Sequence, residues 1–144
     1  MILMKLLLCA DGSENSIRAA QYTASLAKIT GISRITVIHV DNLINLVKSR
    51  GVALPSDFND LYDPKVKEGL NKIESILQRE GIPFETKVLE DSDAAEAICE
   101  YAKFYNYDLI ILGSRGIGGI KGLLLGSVSN KVLQLAHCPV TIVK

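Results

Sequence analysis

The chain has no excess of charge of either sign and no long apolar run. Its 144 residues include 16 Lys and Arg against 16 Asp and Glu. A chain without a basic excess lacks the usual feature of a nucleic-acid binder, so we expect no nucleic acid as a partner. Its apolar runs fall short of the roughly 18 residues that a membrane-spanning helix needs, so no membrane association is expected.

Cysteine is scarce, and its spacing matches no known pairing motif. The three cysteines, Cys9, Cys99 and Cys138, lie far apart and form no C-x-x-C pair. That spacing gives no support to a metal site or a redox motif. Each cysteine lies in apolar sequence, which is typical of a reduced thiol that packs as a small hydrophobe. Reduced thiols indicate a reducing compartment, so we expect the protein in the cytoplasm.

Recognisable catalytic arrangements are missing as well. His39 lies in an apolar stretch and His137 beside a Cys-Pro pair, and both positions are more typical of structural than of catalytic histidines. The spacing supports no Ser/His/Asp or Cys/His set. An efficient enzyme is therefore not the first expectation.

Apolar strand-like runs alternate with amphipathic helical stretches along the chain. Predicted strands cover residues 5–10, 34–40, 83–90, 108–113 and 138–144, and predicted helices cover about 16–31, 65–80, 92–106 and 127–136. Ser13 or Asn15 is the candidate cap of the first helix. Ser92 or Asp93 is the candidate cap of the third helix, and Glu96 lies at a capping-box spacing from Asp93. The alternation predicts one α/β domain over residues 1–144, a doubly wound parallel sheet with helices on both faces.

One segment, residues 41–64, fits neither pattern. It begins DNLINLVKS, which is compatible with a short helix, and runs on through polar and proline-containing sequence. Loops longer than about 12–15 residues without secondary structure are uncommon and often functional. Three roles stay open for it: a lid, a dimer contact or a mobile insertion.

The stretch LGSRGIGGIKGLLLGSVSN, residues 112–130, holds six glycines at the end of the most apolar predicted strand. Gly113 and Gly116 permit a tight turn and a close approach of bare backbone to another group. Gly126-Ser127-Val128-Ser129 opens a helix, where unpaired N–H groups and the helix dipole favour an anion. The stretch therefore predicts a phosphate site, although a plain turn and a serine helix cap would also account for it.

Asp11 follows the first predicted strand and is the acidic candidate for the same site. An ionised carboxylate only accepts hydrogen bonds, so it suits a ribose hydroxyl or a magnesium ion and not a phosphate. In doubly wound sheets, ligands bind where the strand order reverses, at the carboxyl ends of the strands. If that reversal lies between strands one and four, Asp11 and the glycine stretch meet at one crevice.

The glycine spacing is neither a P-loop nor a dinucleotide fingerprint. It reads G-x2-G-x9-G-[ST] through Gly113, Gly116, Gly126 and Ser127, and in this it resembles the ATP-binding subgroup of the universal stress protein family. Further blocks resemble the family in the same order along essentially the whole chain: KLLLCADGSENS, ITVIHV, YDLIILGSRG, LLLGSVSNKV and HCPVTIVK. Two departures are Ala10, where a threonine often stands, and Glu90-Asp91-Ser92-Asp93 in place of a Gly-x-Pro turn.

The resemblance implies a fold, a ligand and an assembly. The fold would be a five-stranded parallel sheet in the order 3-2-1-4-5, and the assembly a homodimer through the last strand, whose VTIVK edge would otherwise be unprotected. The ligand would be ATP with Mg²⁺ or Mn²⁺, and Asp11 would contact the ribose or the metal. The residues implied in nucleotide binding are Ala10, Asp11, Val40, Gly113, Arg115, Gly116, Gly126, Ser127, Val128 and Ser129.

The function implied is that of an ATP-binding regulatory protein of the stress response. Two other classes of function stay open. One is a slow ATPase or an enzyme that phosphorylates itself on Ser127 or Ser129, and the other is a nucleotide-free scaffold. AMP or a cyclic nucleotide would use the same loops, because those loops can hold one phosphate or three.

Overall fold

The computed structural model describes residues 4–32, 34–41, 64–115 and 124–144. The elements in this part are β1 (Lys5–Cys9), α1 (Glu14–Thr30), β2 (Arg34–Asp41), α2 (Pro64–Arg79), β3 (Phe84–Glu90), α3 (Ala94–Phe104), β4 (Leu109–Gly113), α4 (Ser127–Leu135) and β5 (Val140–Val143). Every predicted helix and strand is therefore confirmed to within a few residues. Of the unassigned segment 41–64 only the two ends are described, and Gly116 also lies outside the described residues.

The five strands form one parallel sheet in the order β3-β2-β1-β4-β5. Central strand β1 pairs with β2 on one side, where Cys9 is level with Ile38, and with β4 on the other, where Leu8 is level with Ile111. The strand order thus reverses at β1, which confirms the predicted fold. No described helix is long and apolar enough to cross a membrane.

Alternate side chains of β1 enter two separate cores. Leu6 and Leu8 pack on the face covered by α1 and α2, and Leu7 and Cys9 pack on the face covered by α3 and α4. The alternation follows from strand geometry, since successive side chains point to opposite faces. Because β1 is apolar on both faces, it forms the centre of a two-sided structure and not an edge.

The helix starts show which of the predicted caps is used. Ser13 caps α1, where its Oγ accepts the N–H of Ser16 at 3.2 Å, and Asp93 caps α3, where its Oδ1 accepts the N–H of Glu96 at 3.1 Å. The predicted capping box at α3 is wrong in its second half. The N–H of Asp93 donates to Asp91 Oδ1 at 2.9 Å, and the Glu96 carboxylate instead lies 3.8 Å from Lys131 Nζ.

A contact between two glycines sets α2 against the loop after β1. Gly12 adopts a left-handed φ of 83°, and a Cβ added to it would lie 2.8 Å from the Cα of Val66. A Cβ added to Gly69 would lie 2.6 Å from the carbonyl carbon of Gly12. Both distances are shorter than real Cβ contacts. Helix α2 therefore touches the β1–α1 loop backbone to backbone, and neither position has room for a side chain.

We predict that Gly69→Ala lowers the free energy of unfolding. On helix propensity alone, alanine would stabilise α2 by about 1 kcal/mol. The added methyl group would meet the backbone of Gly12, which cannot yield as a flexible side chain can, and overpacking of this kind costs about 1–3 kcal/mol. Urea denaturation should therefore show a net loss.

Asn71→Ala is the matched control, because Asn71 is an exposed residue of the same helix. It should leave stability unchanged or raise it by a few tenths of a kcal/mol, as the better propensity of alanine predicts. A Gly69→Ala protein as stable as the Asn71→Ala protein would show that the glycine contact is not tight.

Candidate functional site

The predicted site residues that the structure describes come from segments at the carboxyl edge of the sheet, and Gly116 lies outside the described residues. β1 and β4 are adjacent and parallel, so the loops that follow Cys9 and Gly113 leave the sheet side by side. On the other side of β1, the register of Cys9 with Ile38 brings Val40 level with Asp11. The crevice predicted between strands one and four is therefore flanked by these three strand ends.

Asp11 is half-buried, and its loop is held by its own carboxylate. Asp11 Oδ1 accepts the N–H of Ser13 at 2.9 Å, and Ser13 in turn caps α1. Asp11 Oδ2 has no hydrogen-bond partner among the residues that the structure describes. One oxygen of this carboxylate therefore shapes the loop, and the other is available to a ligand.

The backbone groups of Ala10 are both used inside the protein. Its N–H donates to the carbonyl of Ile38 at 2.9 Å, and its carbonyl accepts a hydrogen bond from Nδ1 of His39 at 2.8 Å. Because a carbonyl accepts, Nδ1 carries the proton. His39 is buried and ties β2 to the end of β1, so this contact is structural.

Gly113 is approached closely by the chain's own helix α1. A Cβ on Gly113 would lie 2.7 Å from Asn15 Cβ and 2.8 Å from the carbonyl carbon of Asn15. Asn15 is itself buried, and its Nδ2 donates to the carbonyl of Arg115 at 3.0 Å. The glycine thus serves helix packing, and Asn15 fixes the backbone of the loop that follows β4.

Ser114 joins three parts of the site through its backbone. Its N–H donates to the carbonyl of Val143 at 2.8 Å, and its own carbonyl accepts the N–H of Gly126 at 2.6 Å and Ser129 Oγ at 2.7 Å. The residue is only 3% exposed. Sequence reasoning missed both Ser114 and Asn15. Asn15 was considered only as a cap, and backbone hydrogen bonds such as those of Ser114 leave no mark on side-chain type.

The N-terminus of α4 has no side-chain cap. Gly126 stands at the N-cap position, whereas Ser13 and Asp93 cap α1 and α3 with side-chain oxygens. The first backbone bond of α4 runs from the N–H of Asn130 to the carbonyl of Gly126 at 3.0 Å. The N–H groups of the first helical turn, at residues 127–129, have no partner within a helix. Three adjacent donors therefore stand at the N-terminal end of α4, next to the backbone of Ser114.

The serine hydroxyls at this turn differ in what they do. Ser127 is exposed, whereas Ser129 is buried and its hydroxyl proton is donated to Ser114. Val128, between them, is 38% exposed. Ser127 can therefore offer both its hydroxyl and its N–H to a ligand, and Ser129 can offer its N–H.

Lys131 holds α4 against the start of α3. Its ammonium forms an ion pair with Asp93 and lies 3.8 Å from a carboxylate oxygen of Glu96. The hydrogen bond from Lys131 keeps the pKa of Asp93 below its usual value, and the same bond raises the pKa of Lys131. The ion pair thus attaches the first turns of α4 to the start of α3.

A line of hydrogen bonds connects the loop after β4 to the end of β5. Arg18 Nε donates to the carbonyl of Lys144 at 3.1 Å, and its Nη2 donates to Asn15 Oδ1. Asn15 then donates to Arg115, so α1 bridges the two. Helix α1 therefore contacts both the Arg115 backbone and the last residue of the chain.

The three cysteines are free thiols on the face covered by α3 and α4. Burial raises the pKa of Cys9, Cys99 and Cys138, so these thiols stay protonated at neutral pH. Within residues 4–32, 34–41, 64–115 and 124–144, no group of three or more His, Cys, Asp or Glu side chains could hold a metal. Among the described residues, Asp11 therefore has no such group of protein ligands for a metal around it.

We predict that Ser129→Ala destabilises the protein, because it removes the hydrogen bond to the carbonyl of Ser114. That carbonyl keeps the N–H of Gly126, so the loss should be about 1 kcal/mol, the net value of one hydrogen bond. Chemical denaturation measures it.

Ser127→Ala provides the comparison two residues away. Its side chain is exposed and bonds to no described residue, so its stability should stay within about 0.5 kcal/mol of the unmodified protein. Equal losses in the two variants would contradict the special role of Ser129.

Comparison with known proteins gives a consistent result. The model of the Universal stress protein family matches residues 3–144. Universal stress protein YxiE of Bacillus subtilis is 36% identical over 151 residues, with 97% of this chain and 98% of the relative covered. Universal stress protein MJ0531 of Methanocaldococcus jannaschii is 33% identical over 142 residues, covering 97% of this chain and 81% of the relative.

Solved structures share the fold. MJ0577 of Methanocaldococcus jannaschii superposes with a TM-score of 0.71 at 27% identity, covering 100% of this chain and 97% of the other. A universal stress protein in complex with cAMP gives 0.69 at 19% identity, with coverages of 100% and 98%. One from Archaeoglobus fulgidus in complex with dAMP gives 0.66 at 23%, with 100% of both chains covered.

Proposed function

The chain belongs to the universal stress protein family, and from that premise we propose that it is an ATP-binding regulatory protein. The nucleotide lies between the carboxyl ends of β1 and β4. The proposal treats residues 1–144 as one domain, in keeping with a family match over residues 3–144. Location in the cytoplasm, which rests on the unpaired thiols, stays a prediction.

The observation that carries the proposal is the uncapped first turn of α4. Three adjacent backbone N–H groups at the positive end of a helix form a ready site for a phosphate. The serine hydroxyl of Ser127 is exposed beside them. The carbonyl of Ser114 and the ion pair of Lys131 fix the turn in place. The turn is therefore organised before an anion arrives.

The other site residues have separate roles in the proposal. Val40 faces the adenine through its backbone, and Gly113 and Arg115 line the phosphate side together with Gly116, which lies outside the described part of the chain. Ala10 acts as support, because both of its backbone groups are used inside the protein. Two solved universal stress proteins with a similar fold are complexes with cAMP and dAMP. These complexes support an adenine nucleotide as the class of ligand.

Asp11 Oδ2 is the group for the ribose or for a divalent metal. Mg²⁺ in nucleotide sites is commonly held by one or two carboxylates together with substrate phosphates and waters. A single carboxylate oxygen beside a phosphate site fits that pattern, so Asp11 would hold Mg²⁺ or Mn²⁺ jointly with the nucleotide. The metal would supply neutralisation of the phosphate charge.

Regulation fits the geometry better than turnover. Ser129, one of two serines considered for autophosphorylation, is buried and its hydroxyl is bonded to Ser114. Hydrogen bonds run from Arg115 through Asn15 and Arg18 to Lys144. Through them, a nucleotide bound beside Arg115 would influence the edge of the sheet. Nucleotide acts by shifting the population between two states for which its affinity differs.

We predict that Gly126→Val weakens binding of Mg-ATP by about tenfold or more, a free-energy loss of about 1.4 kcal/mol or more. The isopropyl group would stand where the phosphate approaches the first turn of α4. The backbone of Gly126 has φ −78° and ψ 174°, a conformation open to any residue, so the fold should persist. Isothermal titration of nucleotide-free protein measures the affinity.

Gly126→Ala is the graded control. Its affinity for Mg-ATP should lie between those of the unmodified protein and Gly126→Val, because a methyl group blocks the phosphate less than an isopropyl group does. Mass spectrometry of the small molecules released on denaturation identifies any nucleotide that copurifies. Retained affinity in Gly126→Val would show that the site is misplaced. Absence of any binding to the unmodified protein would favour a nucleotide-free scaffold.

We also propose a homodimer through β5. This strand lies at the edge of the sheet and all four of its residues are half-buried. The carbonyls of Pro139 and Val143 accept the N–H groups of Ile110 and Ser114. By alternation Thr141 faces β4, and Ile142 directs its backbone groups outward. An edge with free donors and acceptors is a template for pairing with a second strand.

We predict that Ile142→Pro makes the protein monomeric. Proline removes only an N–H that faces away from β4, a position that edge strands tolerate. Multi-angle light scattering at micromolar protein measures the mass, and Thr141→Ser, which keeps every backbone donor, should remain dimeric. A monomer in the unmodified protein would contradict the assembly without touching the nucleotide site.

A further inference from the structure

A second concave site lies at the amino end of the sheet, opposite the nucleotide crevice. It has a volume of about 500 Å³ and is lined by the first residues of β1 and β2, by β3, and by tyrosines from α3 and the turn after it. Because the strands are parallel, their amino ends lie at the edge far from Asp11 and α4. The pocket is therefore separate from the site already described.

Positive charge is concentrated in this pocket. Lys5 and Arg34 are direct partners on neighbouring strands, so their side chains leave the same face of the sheet at the same level. Like charges this close repel each other. Lys87 of β3 also lines the pocket. Arg34 and Lys87 form no ion pair with another described residue, so their charges remain available.

Lys5 is held in a fixed position. Its ammonium donates to the carbonyl of Tyr105 and lies 4.6 Å from the ring centroid of Tyr107. The nearby Asp108 carboxylate accepts the backbone N–H of Lys5 at 2.8 Å. The cation is thus oriented by an aromatic ring and a carbonyl, neither of which removes its charge.

A chain of hydrogen bonds, buried at Thr36 and Tyr107 and exposed at Glu85, forms the floor of the pocket. Thr36 Oγ1 lies 3.3 Å from Glu85 Oε1, to which it donates, and 2.6 Å from the hydroxyl of Tyr107. Threonine has a single hydroxyl proton, so Tyr107 donates to Thr36. Glu85 is the one acidic side chain among the lining residues, against three cations, so the pocket stays positive.

One wall of the pocket is aromatic. The rings of Tyr101 and Tyr105 lie 4.6 Å apart between centroids, and the ring of Tyr107 lies 5.8 Å from that of Tyr101. Tyr105 is 47% exposed. Burial raises the pKa of Tyr101 to about 12, so its hydroxyl stays a neutral donor at physiological pH. Exposed ring surface beside cations suits a planar apolar group that carries a negative charge.

We propose that this pocket is a second binding site, for a small organic anion that carries a planar ring. The anion lies against Arg34 and Lys87, and the ring lies against Tyr101 and Tyr105. The site depends on neither the glycine stretch nor Asp11. Its success or failure is therefore independent of nucleotide binding at the carboxyl edge.

The test compares two probes, phenyl phosphate and inorganic phosphate, by isothermal titration and by chemical shifts of the tyrosine rings. Phenyl phosphate should bind saturably and about tenfold or more tightly than inorganic phosphate, because only it reaches the aromatic wall. Arg34→Gln should weaken phenyl phosphate by a similar factor and leave Mg-ATP affinity unchanged. Arg34 is exposed at the start of β2, so the substitution should preserve the fold.

Lys72→Gln is the matched control, since Lys72 is exposed on α2 and pairs with Glu68, 3.3 Å away; it should bind phenyl phosphate as the unmodified protein does. Three results overturn the proposal. One is no saturable binding of phenyl phosphate, and another is equal affinity for the two probes. The third is binding that Gly126→Val abolishes and Arg34→Gln does not, which would place the probe in the nucleotide crevice.

Discussion

The site depends on helices α1 and α2 coming into backbone contact with the loops at the carboxyl edge of the sheet. At Gly113 the approaching group is Asn15 of α1, and at Gly12 it is the backbone of Gly69 and Val66 of α2. A side chain at any of these glycines would push a helix away from the sheet. Asp11 and the Arg115 carbonyl take their positions from these contacts, so packing and ligand geometry share one constraint.

Hydrogen bonds also connect the loop after β4 to the edge strand β5. Ser114 bonds to β5 through its N–H and to the start of α4 through its carbonyl. Arg18 bonds to both Asn15 and Lys144. A phosphate that draws in the first turn of α4 would therefore pull on the strand proposed to pair with a second subunit. Coupling requires that the two states differ at both places, and Ser114 makes backbone hydrogen bonds to both.

The sequence predicted the elements well because each carries a local signal. The runs of β1 and β4 are apolar on both faces, and α2 has a clear apolar stripe ended by Gly81. The strand order came from family resemblance and not from periodicity, which says nothing of how strands are arranged. The sequence did not predict the roles of Asn15 and Ser114 or the contact between Gly12 and Gly69. In each case the partner lies far away in sequence, and the contact is made largely by backbone atoms. The capping box was half wrong because Asp91 competes for the same N–H.

The net charge of the chain does not predict where charged side chains lie next to one another. Equal numbers of acidic and basic residues argued correctly against a chain that is basic overall, yet an average over 144 residues conceals where charges meet. Register brings Lys5 beside Arg34, and only the pairing of β1 with β2 reveals it. Two like charges adjacent on one face repel each other. An anion bound against the aromatic wall would offset this repulsion, so the pairing of Lys5 with Arg34 is consistent with the proposed second site.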